Sequence, residues 1–160
     1  MAVLHQSHQD RLRDREFEAF VAGAGGRLLH AASLLTAEPP DAAPVAEDLL
    51  VSALARTYAD WRRLRDEDPY DHARLELALL FAHRAWRYRR PRGGLLERLP
   101  PQERLVLVLR LHEGIAEEQV SAALGLPLDR VRTLCGRAVA ALREVPHRNG
   151  TVAGGRAVMS

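Results

Sequence analysis

The chain has no lysine: all 23 of its basic residues are arginine. Aromatic residues make up only 5% of it, and there is one cysteine, Cys135. A single cysteine excludes an internal disulfide framework and a cysteine-based zinc cluster. No run approaches the roughly 20 apolar residues of a membrane span. The start, Met-Ala-Val-Leu-His-Gln, has no basic region followed by an apolar one, so it is no secretory signal. Together these absences predict a soluble protein in the reducing cytoplasm, without a membrane partner. Strand patterns and internal repeats are also missing. The apolar fraction of 47% is carried by Ala and Leu, which favour helix, whereas strands want β-branched and aromatic side chains. An all-α chain with enough apolar surface for a core is expected.

Charge is nearly balanced overall but unevenly placed. Residues 41 to 82 carry nine acidic groups against five arginines, residues 83 to 92 carry five arginines and no acid, and residues 127 to 143 set four arginines against Asp129 alone. Basic blocks on a balanced chain are the footprint of a polyanion binder, although arginines also serve simply to solvate a helix face.

Periodicity and helix punctuation divide the chain. Asp10 to Ala24 reads as a short helix stopped by Gly25-Gly26, and Arg27 to Thr36 as a second helix. The proline-rich stretch 37 to 44 is a loop. Val45, Leu49, Ala53, Thr57, Trp61 and Leu64 recur every three or four residues, predicting a helix from Val45 to about Arg65. Asp68-Pro69 suits the start of the next helix, which is expected to reach about Arg90 with Leu75, Ala78, Leu79, Ala82 and Trp86 inward. Residues 91 to 99 form a connector in which Leu95, Leu96 and Leu99 are expected to tie down part of the chain. Three further helices follow at 101–112, 116–124 and about 128–144. Two small helical domains result, 10–90 and 100–146, with a flexible tail at 147–160.

The last two helices carry the clearest motif, Ile115-Ala-Glu-Glu-Gln-Val-Ser-Ala-Ala-Leu-Gly-Leu-Pro-Leu-Asp-Arg-Val-Arg-Thr-Leu-Cys-Gly-Arg137. Val120, Ala123 and Leu124 supply one inner face. Gly125 permits a positive-φ turn, Leu126 fills the corner, and Leu128, Val131, Leu134 and Ala138 supply the second inner face, with Cys135 beside them as a buried thiol. Such a short glycine turn makes a helix-turn-helix, residues 101 to 143, whose last helix is free to enter a DNA major groove. Arg130, Arg132, Thr133 and Arg137 lie outside or beside the seam, and arginine can hold phosphates or read guanine. The competing reading is a plain helical hairpin with solvated arginines.

No nucleophile–base constellation, phosphate loop or paired carboxylates stand out, so an enzyme is not expected. His5 and His8 are spaced i, i+3 without an obvious third ligand, and His30, His72, His83 and His112 are scattered singly. Neither a metal site nor a cofactor is expected.

Two stretches in order resemble the extracytoplasmic-function type of bacterial RNA polymerase sigma factor, in the style of actinobacterial members. Val45-Ala-Glu-Asp-Leu-Leu-Val-Ser-Ala-Leu-Ala-Arg-Thr-Tyr-Ala-Asp-Trp61 is similar to the family's polymerase-docking helix, and Leu99-Pro-Pro-Gln-Glu-Arg104 through Leu142 is similar to region 4, which reads the −35 element. With Arg84-Ala-Trp-Arg-Tyr-Arg-Arg90, the likeness covers about residues 14 to 145. It implies that Glu47, Asp48, Arg56 and Trp61 meet core RNA polymerase. It likewise implies that Arg84, Arg87, Arg89 and Arg90 lie near −10 DNA, and that Arg130, Arg132, Thr133 and Arg137 face −35 DNA. The partners it implies are core polymerase, double-stranded promoter DNA, and an anti-sigma or other regulatory protein.

Some positions depart from the family pattern: Val51-Ser52 stands where Gln-Glu is usual, Leu80 where a polar residue is common, and Leu134 where an arginine is frequent. The connector from Arg90 to Pro100 spans roughly 33 to 36 Å fully extended, against promoter elements more than one helical turn, about 34 to 36 Å, apart. Those departures keep a second reading open. In it, a sigma-derived regulator acts through protein contacts without opening promoters; a simple helix-turn-helix regulator is a third.

Overall fold

A computed structural model describes residues 1–144; the tail expected at 147–160 lies outside the described residues. It is all helical, with no strand among the described residues. Among the described residues six α-helices form: α1 (Ala2–Thr36), α2 (Pro44–Asp60), α3 (Pro69–His83), α4 (Pro101–Leu107), α5 (Glu117–Leu124) and α6 (Leu128–Arg143). No described helix is long and apolar enough to cross a membrane.

The first difference from expectation is α1, one helix of 35 residues where two were expected. Gly25 and Gly26 do not take the positive φ of a helix stop. They continue the helix at about 1 kcal/mol each relative to Ala, because the next turns bury Leu28, Ala31, Ala32 and Leu35 against α2 and α3. Tertiary packing outweighs the local preference. The half N-terminal to Phe17 is largely exposed and carries His5 and His8.

The helix stops instead at Ala37, which holds a left-handed φ of 58°. Thr36 and Glu38 then begin α2 from a distance. Glu38 is buried and accepts backbone N–H bonds from Val45 at 3.0 Å and Ala46 at 2.7 Å, and the Thr36 hydroxyl donates to it at 2.7 Å. The residue preceding α2, Ala43, offers no side-chain cap, so this loop carboxylate satisfies the orphan donors and complements the positive helix end. Along α2, Ala46, Leu49, Leu50, Ala53 and Thr57 are buried, close to the expected stripe. Trp61 follows in a short 3-10 turn and packs edge-on against Phe17, centroids 5.3 Å apart.

As expected, Asp68 caps α3, accepting the Tyr70 N–H at 3.0 Å. That helix departs from expectation in length and in register. It ends at His83 rather than near Arg90, and a 3-10 turn follows at Ala85–Tyr88. Tyr88 folds back to stack on Phe81, ring centroids 4.7 Å apart, which a continuing helix could not allow. The inward residues are Ala73, Leu77, Ala78, Leu80 and Phe81, while Leu75, Leu79 and Ala82 face out and Trp86 is 64% exposed. Leucines at 75, 77, 79 and 80 offer two competing stripes, and the packing against α2 selects one.

The connector is packed. Leu96 and Leu99 are buried, Leu95 is not, and the Gly94 N–H donates to the Ala37 carbonyl at 2.8 Å. A Cβ on Gly94 would fall 2.3 Å from the Ala37 carbonyl carbon, so only glycine permits this approach. Beyond it α4 runs into one π-helical turn, Val108–His112, where the Glu113 N–H reaches the Val108 carbonyl. The extra residue per turn directs Glu113 inward, its side chain only 3% exposed. There it accepts the Tyr70 hydroxyl at 3.0 Å and meets Arg74 at 3.6 Å. Burial and the Glu113 charge push the Tyr70 phenol up to about 12, and the Arg27 guanidinium lies over the same ring.

The two helical groups therefore share a core. At its centre Arg104 is fully buried. Its guanidinium donates to the carbonyls of Leu35 at 2.6 Å, Leu99 at 2.9 Å and Tyr88 at 3.2 Å. Burial, and then the charge of Arg92, lower its pKa to about 10, so it stays charged at neutral pH. A planar fork reaching three separate carbonyls is something lysine cannot reproduce.

Arg104→Leu is expected to strand three carbonyls and to cost about 3 kcal/mol, a fall of roughly 6 to 12 °C in Tm for a chain of this size. Arg104→Lys should recover less than half of that loss. Urea and thermal denaturation of both variants check it; a loss under about 1 kcal/mol in either would refute the bracing role.

Candidate nucleic-acid interface

The helix-turn-helix is built from α5 and α6, held on α4. Val120, Val131, Leu134 and Ala138 are buried, and Leu124, Leu126 and Cys135 pack partly buried against them. Gly125 takes φ 64° at the end of α5. Leu126 N–H then donates to the Ser121 carbonyl, and Pro127 precedes α6 with an extended backbone. Leu134 is thus a hinge-side core residue rather than a failed DNA contact.

Burying Val131, Leu134 and Ala138 turns the opposite face of α6 to solvent. Arg130, Arg132, Thr133, Gly136 and Arg137 are all exposed there. Their freedom differs. Arg130 donates to the Gln102 side-chain oxygen Oε1 at 3.2 Å, and the Thr133 hydroxyl donates to the Asp129 backbone carbonyl within the helix. Arg132 pairs with Glu117 at 2.9 Å, across the turn, and lies 3.9 Å from Asp129. That hydrogen bond holds the Glu117 carboxyl below the ordinary carboxylate range. A phosphate at this face competes with one exposed ion pair, which is worth little in water.

The second arginine block sits on irregular chain. Arg84 closes α3, Arg87 lies over the Trp86 ring at 5.0 Å, and Arg89 and Arg90 are exposed. Arg92 folds back to donate to the Arg87 carbonyl. An exposed indole amid arginines is a surface on which an unstacked base can lie. The sequence reading placed Trp86 inward, and the early end of α3 reverses that.

On α2, Glu47, Asp48, Val51 and Ala55 share one exposed face, with Val51 66% exposed. Arg56 stands at its edge, 3.6 Å from Glu76 of α3. Trp61 is not brought to this face; it sits behind, among Phe17, Phe20 and Tyr58 of α1 and α2. Leu80 is buried at 2%, so its lack of polarity reflects the core and has no bearing on base contact. Arg104 and Glu38 were missed by sequence reasoning. Arg104 had a signal, since it continues the stripe formed by Pro101, Leu105 and Val108.

Residues 95–144 match the family model for sigma-70, region 4. The chain is 31% identical to the RNA polymerase sigma-E factor of Streptomyces coelicolor, over 81% of this chain and 85% of that protein. It is 30% identical to the sigma-E factor of Streptomyces avermitilis, over 81% and 84%. The RNA polymerase sigma-F factor of Kitasatospora aureofaciens is 32% identical over 84% of this chain, but only 36% of its own length. No solved structure matches. The chain belongs to the bacterial RNA polymerase sigma factors, as a divergent member of the extracytoplasmic-function type.

Proposed function

We propose that this chain acts as a sigma factor, binding core RNA polymerase and directing it to promoter DNA. The observation that carries this is the exposed α6 face, with Arg130, Arg132, Thr133 and Arg137 set on a region 4 helix-turn-helix, in a chain alike to sigma-E factors along 81% of its length. In this reading α6 lies in the major groove of the −35 element, with Arg130 and Arg132 on phosphates or guanine edges. The surface of Arg84, Arg87, Arg89 and Arg90 meets the −10 region, with Trp86 joining it as a stacking platform. Glu47, Asp48 and Arg56 contact the polymerase from α2, while Trp61 supports that helix from behind. Residues 10–90 and 100–146 serve as the two functional units. They act in the cytoplasm, and an anti-sigma protein covering either face is the regulator this arrangement suits. The chain performs no catalysis of its own.

The regulator without promoter opening is the weaker reading. Leu80 no longer argues for it, being core. The reach of the connector also changes, because α3 ends at His83. Where promoter binding releases the Arg104 bonds to Tyr88 and Leu99 and the packing of Leu96, the chain from Arg84 to Pro100 extends roughly 53 to 58 Å, enough to span more than one turn of DNA.

In transcription with purified core polymerase and genomic DNA fragments, the chain should yield discrete transcripts that core alone does not. Polymerase binding without transcripts would support the regulator instead. Replacing Arg130 and Arg132 together by Ala should weaken DNA binding and lower the slope of log affinity against log salt by roughly 2, since each phosphate contact contributes about 0.9. An unchanged slope would remove α6 from the DNA.

A further inference from the structure

The junction of α2 and α3, beside the Arg56 edge of the α2 face, gathers Asp60 from the end of α2 with His72 and Glu76, one turn apart on α3. One ligand atom from each lies within 4.8 Å of the others. His72 and Glu76 side chains are each only 17% exposed and Asp60 is 31% exposed. The His72 Nε2 is 3.4 Å from Asp60 Oδ2 and 3.7 Å from Glu76 Oε1, too far for a good hydrogen bond to either. It is a buried nitrogen without a hydrogen-bond partner.

The other heteroatom of each side chain is turned to a different partner. Asp60 Oδ1 faces Arg63 at 3.1 Å, Glu76 Oε2 faces Arg56 at 3.6 Å, and His72 Nδ1 faces Glu67 at 4.0 Å. Of these only the Asp60–Arg63 contact is within hydrogen-bond distance, and Oδ2, Oε1 and Nε2 are left facing one another. A carboxylate beside the remote nitrogen of a ligating histidine, and partners on the ligating carboxylates, are the outer shell that metal sites use. For bonds of 2.0–2.2 Å in tetrahedral geometry, ligand atoms stand roughly 3.3 to 3.6 Å apart, close to the two His72 separations, while the third lies within 4.8 Å.

We propose that Asp60, His72 and Glu76 form a binding site for a divalent first-row transition ion, zinc(II) fitting best. One imidazole with two carboxylates is a borderline donor set. It suits zinc, while the imidazole disfavours magnesium and calcium. Three protein ligands leave a fourth position for water. The ion ties the end of α2 to the first turns of α3.

The test is isothermal titration of zinc chloride into the chelator-treated full-length chain, with far-UV circular dichroism to check folding of each variant. One ion per chain with a Kd of micromolar or below is expected. Glu76→Gln and His72→Ala should each weaken binding at least 100-fold. Glu67→Gln leaves all three ligands in place and should weaken it about 10-fold with the stoichiometry kept. Absence of binding at 100-fold excess would overturn the site, leaving His72 as part of an ion-pair cluster. Undiminished binding in folded Glu76→Gln would equally overturn it, placing the ion on other histidines.

Discussion

Arg104 is the constraint around which the rest of the chain is arranged. A guanidinium buried without a carboxylate costs several kcal/mol unless its donors are met, and here both terminal nitrogens reach carbonyls from three places: the end of α1, the turn after α3 and the connector, while Nε has no partner among the described residues. Those three places have to be brought together for the arginine to be buried at all. The left-handed Ala37, the side-chain-free approach of Gly94 and the return of Tyr88 onto Phe81 are the local adjustments that do so. Glu38, one residue past Ala37, then sets the start of α2.

With the interior of both helical groups joined in this way, what remains outside is what a sigma factor has to offer. The acidic side of α2, the arginine and tryptophan turn after α3, and the arginine face of α6 are all exposed. They stand on helices whose other faces are committed to the shared core, so each is held in place without being masked. The polar contact of Tyr70 and Arg74 with Glu113 adds a second link between the groups, 3.0 and 3.6 Å long.

Much of this was legible in the residues. The helix-turn-helix could be read because its apolar spacing, Gly125 and the outward arginines agree with one another, and agreement across levels is what specifies a fold. The stripe of α2 and the Asp68 cap of α3 were readable for the same reason. Elsewhere the local signals conflicted. Gly25-Gly26 is a stop signal that later burial of Leu28, Ala31, Ala32 and Leu35 overrules. The many leucines of α3 allow two registers, and only contact with α2 decides between them. Arginine is rarely fully buried, so the place of Arg104 on a buried stripe is the one trace of its role in the residues. The convergence of Asp60 with His72 spans a helix junction and has no signature in spacing.

The claim that the two helical groups are one body braced by Arg104 is open to a direct measurement. Trp61 lies in the first group, and Cys135 lies partly buried in the second. In a Trp86→Phe background, which leaves Trp61 as the sole tryptophan, equilibrium unfolding in urea can be followed by tryptophan fluorescence and, in parallel, by the reactivity of the cysteine thiol. One coincident transition is predicted, with the same midpoint and slope from both probes. Two separated transitions, with the cysteine reporting the second group unfolding alone, would contradict the shared core.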